Sequence, residues 1–172
     1  MGHRFGIPDG EIRRAIASYT PDNNRSQRTE TERNTLVVDC YNANPSSMRA
    51  SVENFLAEPL GRRTARVLIL GDMLELGEWS AEEHAAVVRL ALQGAGASGA
   101  APLPAGTATQ LLLVGPEFAR AVAALPRKPA ATELFASREE LLERLRTRPV
   151  ENALVLLKGS RGIGLEKALE AL

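Results

Sequence analysis

The sequence has too few cysteines and histidines for a disulfide framework or a zinc site. Cys40 is the single cysteine, and His3 and His84 are the two histidines. One cysteine cannot form an internal disulfide, and a structural zinc site needs paired cysteine or histidine ligands. Cys40 lies in an apolar run, and free cysteine is usually buried, so we predict a small buried side chain there.

The sequence also lacks net charge and a long apolar run. Lys plus Arg and Asp plus Glu each number 21, so no overall field favours a nucleic acid or an acidic membrane as partner. No stretch approaches the roughly 20 apolar residues of a membrane span, and the amino terminus is charged where a signal peptide is apolar. We therefore expect a cytoplasmic, monomeric protein with one main core.

Short apolar runs alternate with helical patterns from residue 35 onward. Runs rich in Val, Leu and Ile are typical of strands that are buried on both faces. The predicted strands are Thr35–Asp39, Arg66–Gly71, Leu111–Gly115, Glu133–Ala136 and Ala153–Leu157. The predicted helices are Pro45–Ala57, Ser80–Gln93, Glu117–Leu125, Ser137–Arg146 and Gly162–Leu172. This alternation predicts an α/β fold with a mostly parallel sheet flanked by helices.

Residues 1–33 follow a different pattern. The segment Asp9–Ser18 predicts a short helix with an apolar face, but no strand accompanies it. Tyr19–Arg33 is polar and is interpreted as a linker, and Gly94–Gly106, rich in Gly, Ala and Pro, as a surface loop. We expect residues 1–33 to be the end of a preceding domain plus a hinge, and residues 34–172 to be a separate domain.

Four polar clusters lie in the linker or directly after predicted strands. Ligands of open parallel sheets bind at the carboxyl ends of the strands, so the positions of these clusters make them candidates. The first cluster is Asn23–Gln27 in the linker. Asn24 and Arg25 can hydrogen-bond a ribose or a planar acceptor, although composition alone favours a solvated loop for this cluster.

The second cluster, Asp39–Pro45, follows the first predicted strand. Asp39 and Asn42 can accept from ribose hydroxyls, and the Asn42 amide can also donate to anionic oxygens, which favours a binding role. Asn44 is explained as well by a structural role, because Asn directly before a helix commonly caps it.

The third and fourth clusters follow the second and last predicted strands. Gly71–Glu78 contains three carboxylates, Asp72 and Glu75 among them, which can hold Mg²⁺, orient an amine or face water in a tight turn. Lys158–Gly164 combines glycines, two cations and a helix start, which suits a carboxylate or phosphate ligand.

The phosphate-binding pattern G-x-x-x-x-G-K-[ST] is missing, and the dipeptide Gly-Lys occurs nowhere. The chain cannot grip ATP in that way by itself. One interpretation is therefore a stand-alone binding module that uses Lys158–Gly164 for some other anionic ligand.

The other interpretation is a resemblance to the Mur ligase family of cell-wall peptide ligases, in its D-alanyl-D-alanine-adding branch. It rests on four motifs in matching order and spacing, Tyr19–Gln27, Asp39–Met48, Leu70–Gly77 and Lys158–Arg161. Related ligases carry a histidine-containing motif where this sequence has Tyr-Asn-Ala-Asn-Pro. The resemblance implies a three-domain enzyme, of which this chain contains only the Rossmann-like carboxy-terminal domain completely.

The resemblance also implies ATP-dependent ligation of D-alanyl-D-alanine to UDP-N-acetylmuramoyl-tripeptide in peptidoglycan precursor synthesis. ATP and Mg²⁺ are expected to bind mainly to a central domain that this chain lacks, so the chain is expected to be inactive alone, with no catalytic or metal-binding residue. By resemblance, the ATP contacts are Asn24, Arg25, Asp39 and Asn42. The implied contacts to the peptide substrates are Asn44, Asp72, Glu75, Lys158, Ser160 and Arg161.

Overall fold

A computed structural model describes residues 7–17, 26–93, 109–126 and 129–172. The helices are α1 (Asp9–Ala17), α2 (Pro45–Ala57), α3 (Ser80–Gln93), α4 (Pro116–Ala123) and α5 (Arg138–Thr147). The strands are β1 (Gln27–Glu30), β2 (Thr35–Asp39), β3 (Ala65–Gly71), β4 (Thr109–Val114), β5 (Thr132–Phe135) and β6 (Ala153–Lys158). Short 3₁₀ segments cover Gly77–Trp79, Arg161–Ile163 and Leu165–Ala171. None of the helices in these ranges is long and apolar enough to cross a membrane.

The described strands form one sheet in the order β1-β2-β6-β3-β4-β5. Neighbouring strands pair in parallel, except that β1 pairs antiparallel with β2. Strand β6 is buried along its whole length and β3 along nearly all of it, since helices cover both faces of the sheet. The predicted α/β class with a mostly parallel sheet is confirmed.

Side chains alternate between two cores along the central strands. Leu68 and Leu70 of β3 pack on one face, where helices α2, α3 and α4 lie. Val67 and Ile69 pack on the other face with α5 and the terminal 3₁₀ segment. After β2 and β3 the chain continues into helices α2 and α3 on the first face of the sheet. After β6, which lies between these two strands, it continues into the 3₁₀ segments on the opposite face. Such a change of face opens a crevice at the carboxyl ends of the strands, where ligands of this fold class bind.

Two predicted elements differ from the structure. Gln27–Glu30, predicted as part of a linker, is edge strand β1; its exposed, polar residues give no apolar alternation that a pattern could detect. The predicted helix Gly162–Leu172 is instead a pair of 3₁₀ segments that meet at Gly164, where the backbone is left-handed with φ of 70°. That conformation breaks a continuous α-helix. The predicted loop Gly94–Gly106 and the linker residues before Ser26 lie outside the described ranges.

Candidate functional site

The candidate site is a crevice formed by the loops that follow β2, β3 and β6. At its floor, Lys158 Nζ lies 2.6 Å from Asp39 Oδ2 and 3.3 Å from the carbonyl oxygen of Asn42. Asp39 Oδ2 also accepts a hydrogen bond of 2.9 Å from Ser51 of α2. The Lys158 side chain is 1% exposed and that of Asp39 14%. The positive charge of Lys158 is therefore neutralised inside the protein rather than presented to a ligand.

Ser160 ties the three loops together. Its hydroxyl accepts from the Leu74 amide at 2.9 Å and donates to the Ala43 carbonyl at 3.4 Å. Its own amide donates to the Asp72 carbonyl at 3.2 Å. The side chain is buried, so Ser160 shapes the crevice from beneath.

The loop after β2 uses its amide side chains for its own backbone. Asn44 caps helix α2, because its side chain accepts from the Ser47 amide while the Ser47 hydroxyl accepts from the Asn44 amide. The capping explanation of Asn44 is thus confirmed. Asn42 is exposed, and its Oδ1 accepts from the following Ala43 amide at 2.9 Å. The amide nitrogen of Asn42 therefore points away from that turn and remains a candidate donor for a ligand.

Arg161 lies on the rim of the crevice. Its guanidinium carbon lies 5.9 Å from the centroid of the Tyr41 ring, a cation–π distance. Both side chains are exposed. A guanidinium supported on an aromatic face keeps its N–H groups free to grip a carboxylate in a planar, two-pronged contact.

Asp72 is turned away from the crevice, contrary to its predicted contact with a peptide substrate. The residue is 1% exposed, and its two oxygens accept from the amides of Glu117 and Phe118, each at 2.9 Å. It therefore caps the amino terminus of α4. Burial raises the pKa of this carboxyl above its ordinary value, although the two amide bonds act in the opposite direction.

Glu75 and Leu74 are the exposed tip of the loop after β3. Glu75 adopts a left-handed backbone with φ of 66°, unusual for a residue with a side chain. A cavity of about 300 Å³ lies beside this tip, between residues 73–77 and Ser80, Glu117 and Arg120. Glu75 is thus exposed, whereas the neighbouring Met73 is buried in the core.

The carboxylates of the crevice do not make a magnesium site. Within the described ranges, no three Asp, Glu, His or Cys side chains are placed to hold a metal ion. Asp39 is taken by Lys158 and Asp72 by the α4 amides. These residues therefore do not fit Mg²⁺.

The structure brings seven of the predicted site residues to one edge of the sheet. Asp39 and Lys158 are the last residues of β2 and β6, and the other five, Asn42, Asn44, Glu75, Ser160 and Arg161, lie in the segments that follow the strands. Asp72 begins the segment after β3 but faces α4. Asn24 and Arg25 lie outside the described residues. Sequence reasoning missed His84, which is fully buried and hydrogen-bonds the loop after β3. The sequence signal for it was the spacing between Ser80 and His84, because residues four apart in a helix lie on the same face and can contact each other.

Comparisons with known proteins agree on one family. The family model described as Mur ligase, glutamate ligase domain, matches residues 24–161. The UDP-N-acetylmuramoyl-tripeptide--D-alanyl-D-alanine ligase of Treponema pallidum (strain Nichols) is 36% identical over 173 residues, which cover 97% of this chain and 33% of the relative. The ligase of the same name from Escherichia coli (strain K12) is 36% identical over 143 residues, covering 82% of this chain and 27% of the relative.

Solved structures show the same fold. MurF from Acinetobacter baumannii superposes with a TM-score of 0.73 at 22% identity, over 98% of this chain and 34% of that chain. MurF ligase from Thermotoga maritima in complex with ADP gives a TM-score of 0.70 at 24% identity, over 99% of this chain and 34% of that chain. The chain spans about a third of the length of these relatives.

Proposed function

Since this chain belongs to the Mur ligase family through its glutamate ligase domain, we propose that it is the carboxy-terminal domain of an ATP-dependent peptide ligase. The proposed reaction joins D-alanyl-D-alanine to UDP-N-acetylmuramoyl-tripeptide during peptidoglycan precursor synthesis, in the cytoplasm where ATP is available. The observation that carries the proposal is the crevice, where loops from three of the four motifs meet at one edge of the sheet. The names of the relatives supply the substrates.

The proposed chemistry divides the work between domains. ATP phosphorylates the terminal carboxylate of the tripeptide, and the amine of the dipeptide attacks the acyl phosphate and releases phosphate. The described carboxylates do not fit Mg²⁺, so ATP phosphates and metal are assigned to a preceding domain. The domain described here, residues 34–172, orients the peptide and excludes water from the acyl phosphate. Residues 1–33 are proposed to be the end of that preceding domain and a hinge, with strand β1 belonging to the present sheet.

The proposed contacts follow from which side chains are exposed. Arg161 and Glu75 face the peptide substrates, because both are exposed on the crevice rim. Asn42 contacts the adenosine of ATP, and Asp39 does so through Oδ1, because Lys158 and Ser51 both bond Oδ2. Asn24 and Arg25 are proposed to join them. The remaining predicted contacts, Asn44, Asp72, Lys158 and Ser160, are proposed to build the crevice rather than touch substrate.

The test is phosphate release by this chain joined to its preceding domains. With ATP, Mg²⁺, UDP-N-acetylmuramoyl-tripeptide and D-alanyl-D-alanine, we expect release that depends on all three substrates. Arg161→Ala is expected to raise the KM for a peptide substrate roughly tenfold or more, as loss of a charged hydrogen bond does. The control is Arg62→Ala. Arg62 is an exposed cation that precedes β3, at the end of the strands opposite to the crevice. Absence of substrate-dependent release by the unaltered protein contradicts the proposal.

A further inference from the structure

Hydrogen bonds at its two ring nitrogens hold His84 in one tautomer. Its ring is 0% exposed. Nδ1 lies 2.7 Å from the Ser80 carbonyl oxygen, which can only accept, so Nδ1 carries the proton. Nε2 is then an acceptor, and the Met73 amide donates to it at 3.0 Å. The ring of Phe118 stands edge-on at a centroid distance of 4.6 Å and fixes the plane of the imidazole.

Three successive amides of the loop after β3 are held by three different elements. The Asp72 amide donates to the Val114 carbonyl at the end of β4. The Met73 amide donates to His84 of α3, and the Leu74 amide to Ser160 after β6. The left-handed residue Glu75 comes directly after them. An unfavourable backbone conformation persists only where surrounding contacts impose it. These three hydrogen bonds fix the backbone directly before Glu75 and so support its left-handed conformation.

We infer that His84 is the positioning residue of the loop Asp72–Gly77, and that it holds the exposed Leu74–Glu75 tip against the crevice through the Met73 amide. The role in ligation rests on the proposed function, in which Glu75 faces a peptide substrate. Asp72 Oδ1 lies 3.6 Å from Nε2, which suggests an ion pair with a protonated ring. The Met73 amide donates to that nitrogen at shorter range, and both Asp72 oxygens already accept from α4, so Nε2 serves as an acceptor for the loop.

Two variants separate positioning from packing. His84→Leu keeps an apolar filling but leaves the Met73 amide without its acceptor, whereas His84→Gln supplies an oxygen that can take the place of Nε2. Val88→Ala is the matched control, because Val88 lies one turn further along α3, is also fully buried and has no bond to the loop. Its loss of packing lowers overall stability but removes no acceptor from the Met73 amide.

Amide hydrogen exchange and nitrogen-15 spectra of this chain give the first readout. We expect the unaltered protein to show a protonated Nδ1 and an unprotonated Nε2 at neutral pH. In His84→Leu, exchange of the Met73 amide is expected to rise roughly tenfold beyond any change in global stability. Val88→Ala is expected to show only the global change, and His84→Gln to recover most of the protection. Equal Met73 protection in His84→Leu and Val88→Ala, or a proton on Nε2, overturns the inference.

Kinetics of the chain joined to its preceding domains give the second readout. His84→Leu is expected to raise the KM for a peptide substrate severalfold, with kcat less affected, and Val88→Ala to leave both close to the parent values. Unchanged KM in an active His84→Leu enzyme overturns the role in substrate positioning. If the parent enzyme does not ligate at all, the proposed function fails, while the exchange and tautomer results still decide whether His84 holds the loop.

Discussion

At the scale of single residues, chemical character alone does not separate ligand contacts from structural supports. Lys158 and Asp39 both carry charge at the mouth of a crevice, yet they bond each other at 2.6 Å. Removing two charges from water is costly, and good geometry offsets that cost only while both partners are present. The pair also joins the ends of β2 and β6, which are neighbours in the sheet. Its first task is therefore to hold the crevice together.

Replacing one partner of this pair should lower the free energy of unfolding more than replacing both. Lys158→Met leaves the Asp39 carboxylate without its cation, and we expect a loss of about 3 kcal/mol in the free energy of unfolding. Adding Asp39→Asn to that variant should restore more than half of the loss, because no uncompensated charge remains. Urea unfolding measures both. Lys167→Met, at an exposed position, should change stability by less than about 0.5 kcal/mol. Equal losses in the single and double variants would contradict the pairing.

Cys40 should be inert in the folded protein. The residue is 3% exposed, and burial raises the pKa of its thiol to about 12, with the charges of Glu166 and Asp39 adding to the effect. Since the thiolate is the reactive form, only roughly one thiol in ten thousand is ionised at pH 8. We expect labelling by a thiol reagent to follow global unfolding, and one thiol per chain to react promptly in denaturant. Fast labelling of the native protein would show that Cys40 is accessible.

At the scale of elements, the strands with apolar runs were predictable because both faces of the sheet are covered. Strand β6 reads Ala-Leu-Val-Leu-Leu-Lys and is buried throughout, so a short apolar run sufficed to predict it. Strand β1 reads Gln-Arg-Thr-Glu and lies on the sheet edge, so only its pairing partner reveals it. The 3₁₀ segment after Gly164 was predicted as α-helix, because Leu165 and Ala168 repeat at a spacing common to both helix types.

The link between β3 and α4 depends on Gly115. This glycine has φ of 120°, and a Cβ built on it would lie 2.2 Å from Asp72 Oδ2. Gly115→Ala should therefore strain the backbone and displace the Asp72 side chain that caps α4. We expect the free energy of unfolding, measured by thermal or urea unfolding, to fall by about 3 kcal/mol or more. Gly61→Ala is the matched control, because Gly61 has φ of 60° and open space around it. Its expected loss is about 1 kcal/mol. Similar losses at both positions would argue against close contact with Asp72.

The docking of α5 on edge strand β5 should weaken in acid. Hydrogen bonds from Arg144, together with Arg148, hold the pKa of Glu133 below its ordinary value of 4.5. A carboxyl whose folded pKa is lowered stabilises the fold above its unfolded pKa, and this contribution disappears as pH falls through the lower folded value.

Glu133→Gln therefore tests this ion pair by its pH dependence. The difference in unfolding free energy between the parent and Glu133→Gln should be about 1 kcal/mol near pH 7, should shrink as pH falls below 4.5, and should vanish once the pH is below the folded pKa of Glu133. Denaturant unfolding across that range measures it. Glu143→Gln, at a side chain that is 68% exposed, is the control. A difference that stays constant in acid would contradict the ion pair.

At the scale of the whole molecule, the position of the site was more predictable than its internal bonds. Motifs that follow parallel strands must meet at the carboxyl edge, and Tyr41, Glu75 and Arg161 do so. What those side chains bond depends on distances across β2, β6 and β3, which spacing along the chain does not contain. The inward turn of Asp72 and the burial of Lys158 followed only once the sheet order was known.

The final prediction is that the chain alone binds ATP weakly and performs no ligation. Most of the charge of ATP lies on its phosphates, which normally need a backbone cradle, a free lysine and a metal ion. The sequence has no Gly-Lys dipeptide, Lys158 is neutralised by Asp39, and the described residues offer no metal site. The proposed adenosine contacts around Asn42, at about 1 kcal/mol each, do not offset the cost of immobilising the nucleotide. We expect a Kd in the millimolar range or weaker, about 4 kcal/mol of binding free energy, with or without Mg²⁺. Calorimetry on the purified chain measures this, and tight magnesium-dependent binding or phosphate release would mean that the phosphate-binding machinery lies within these residues.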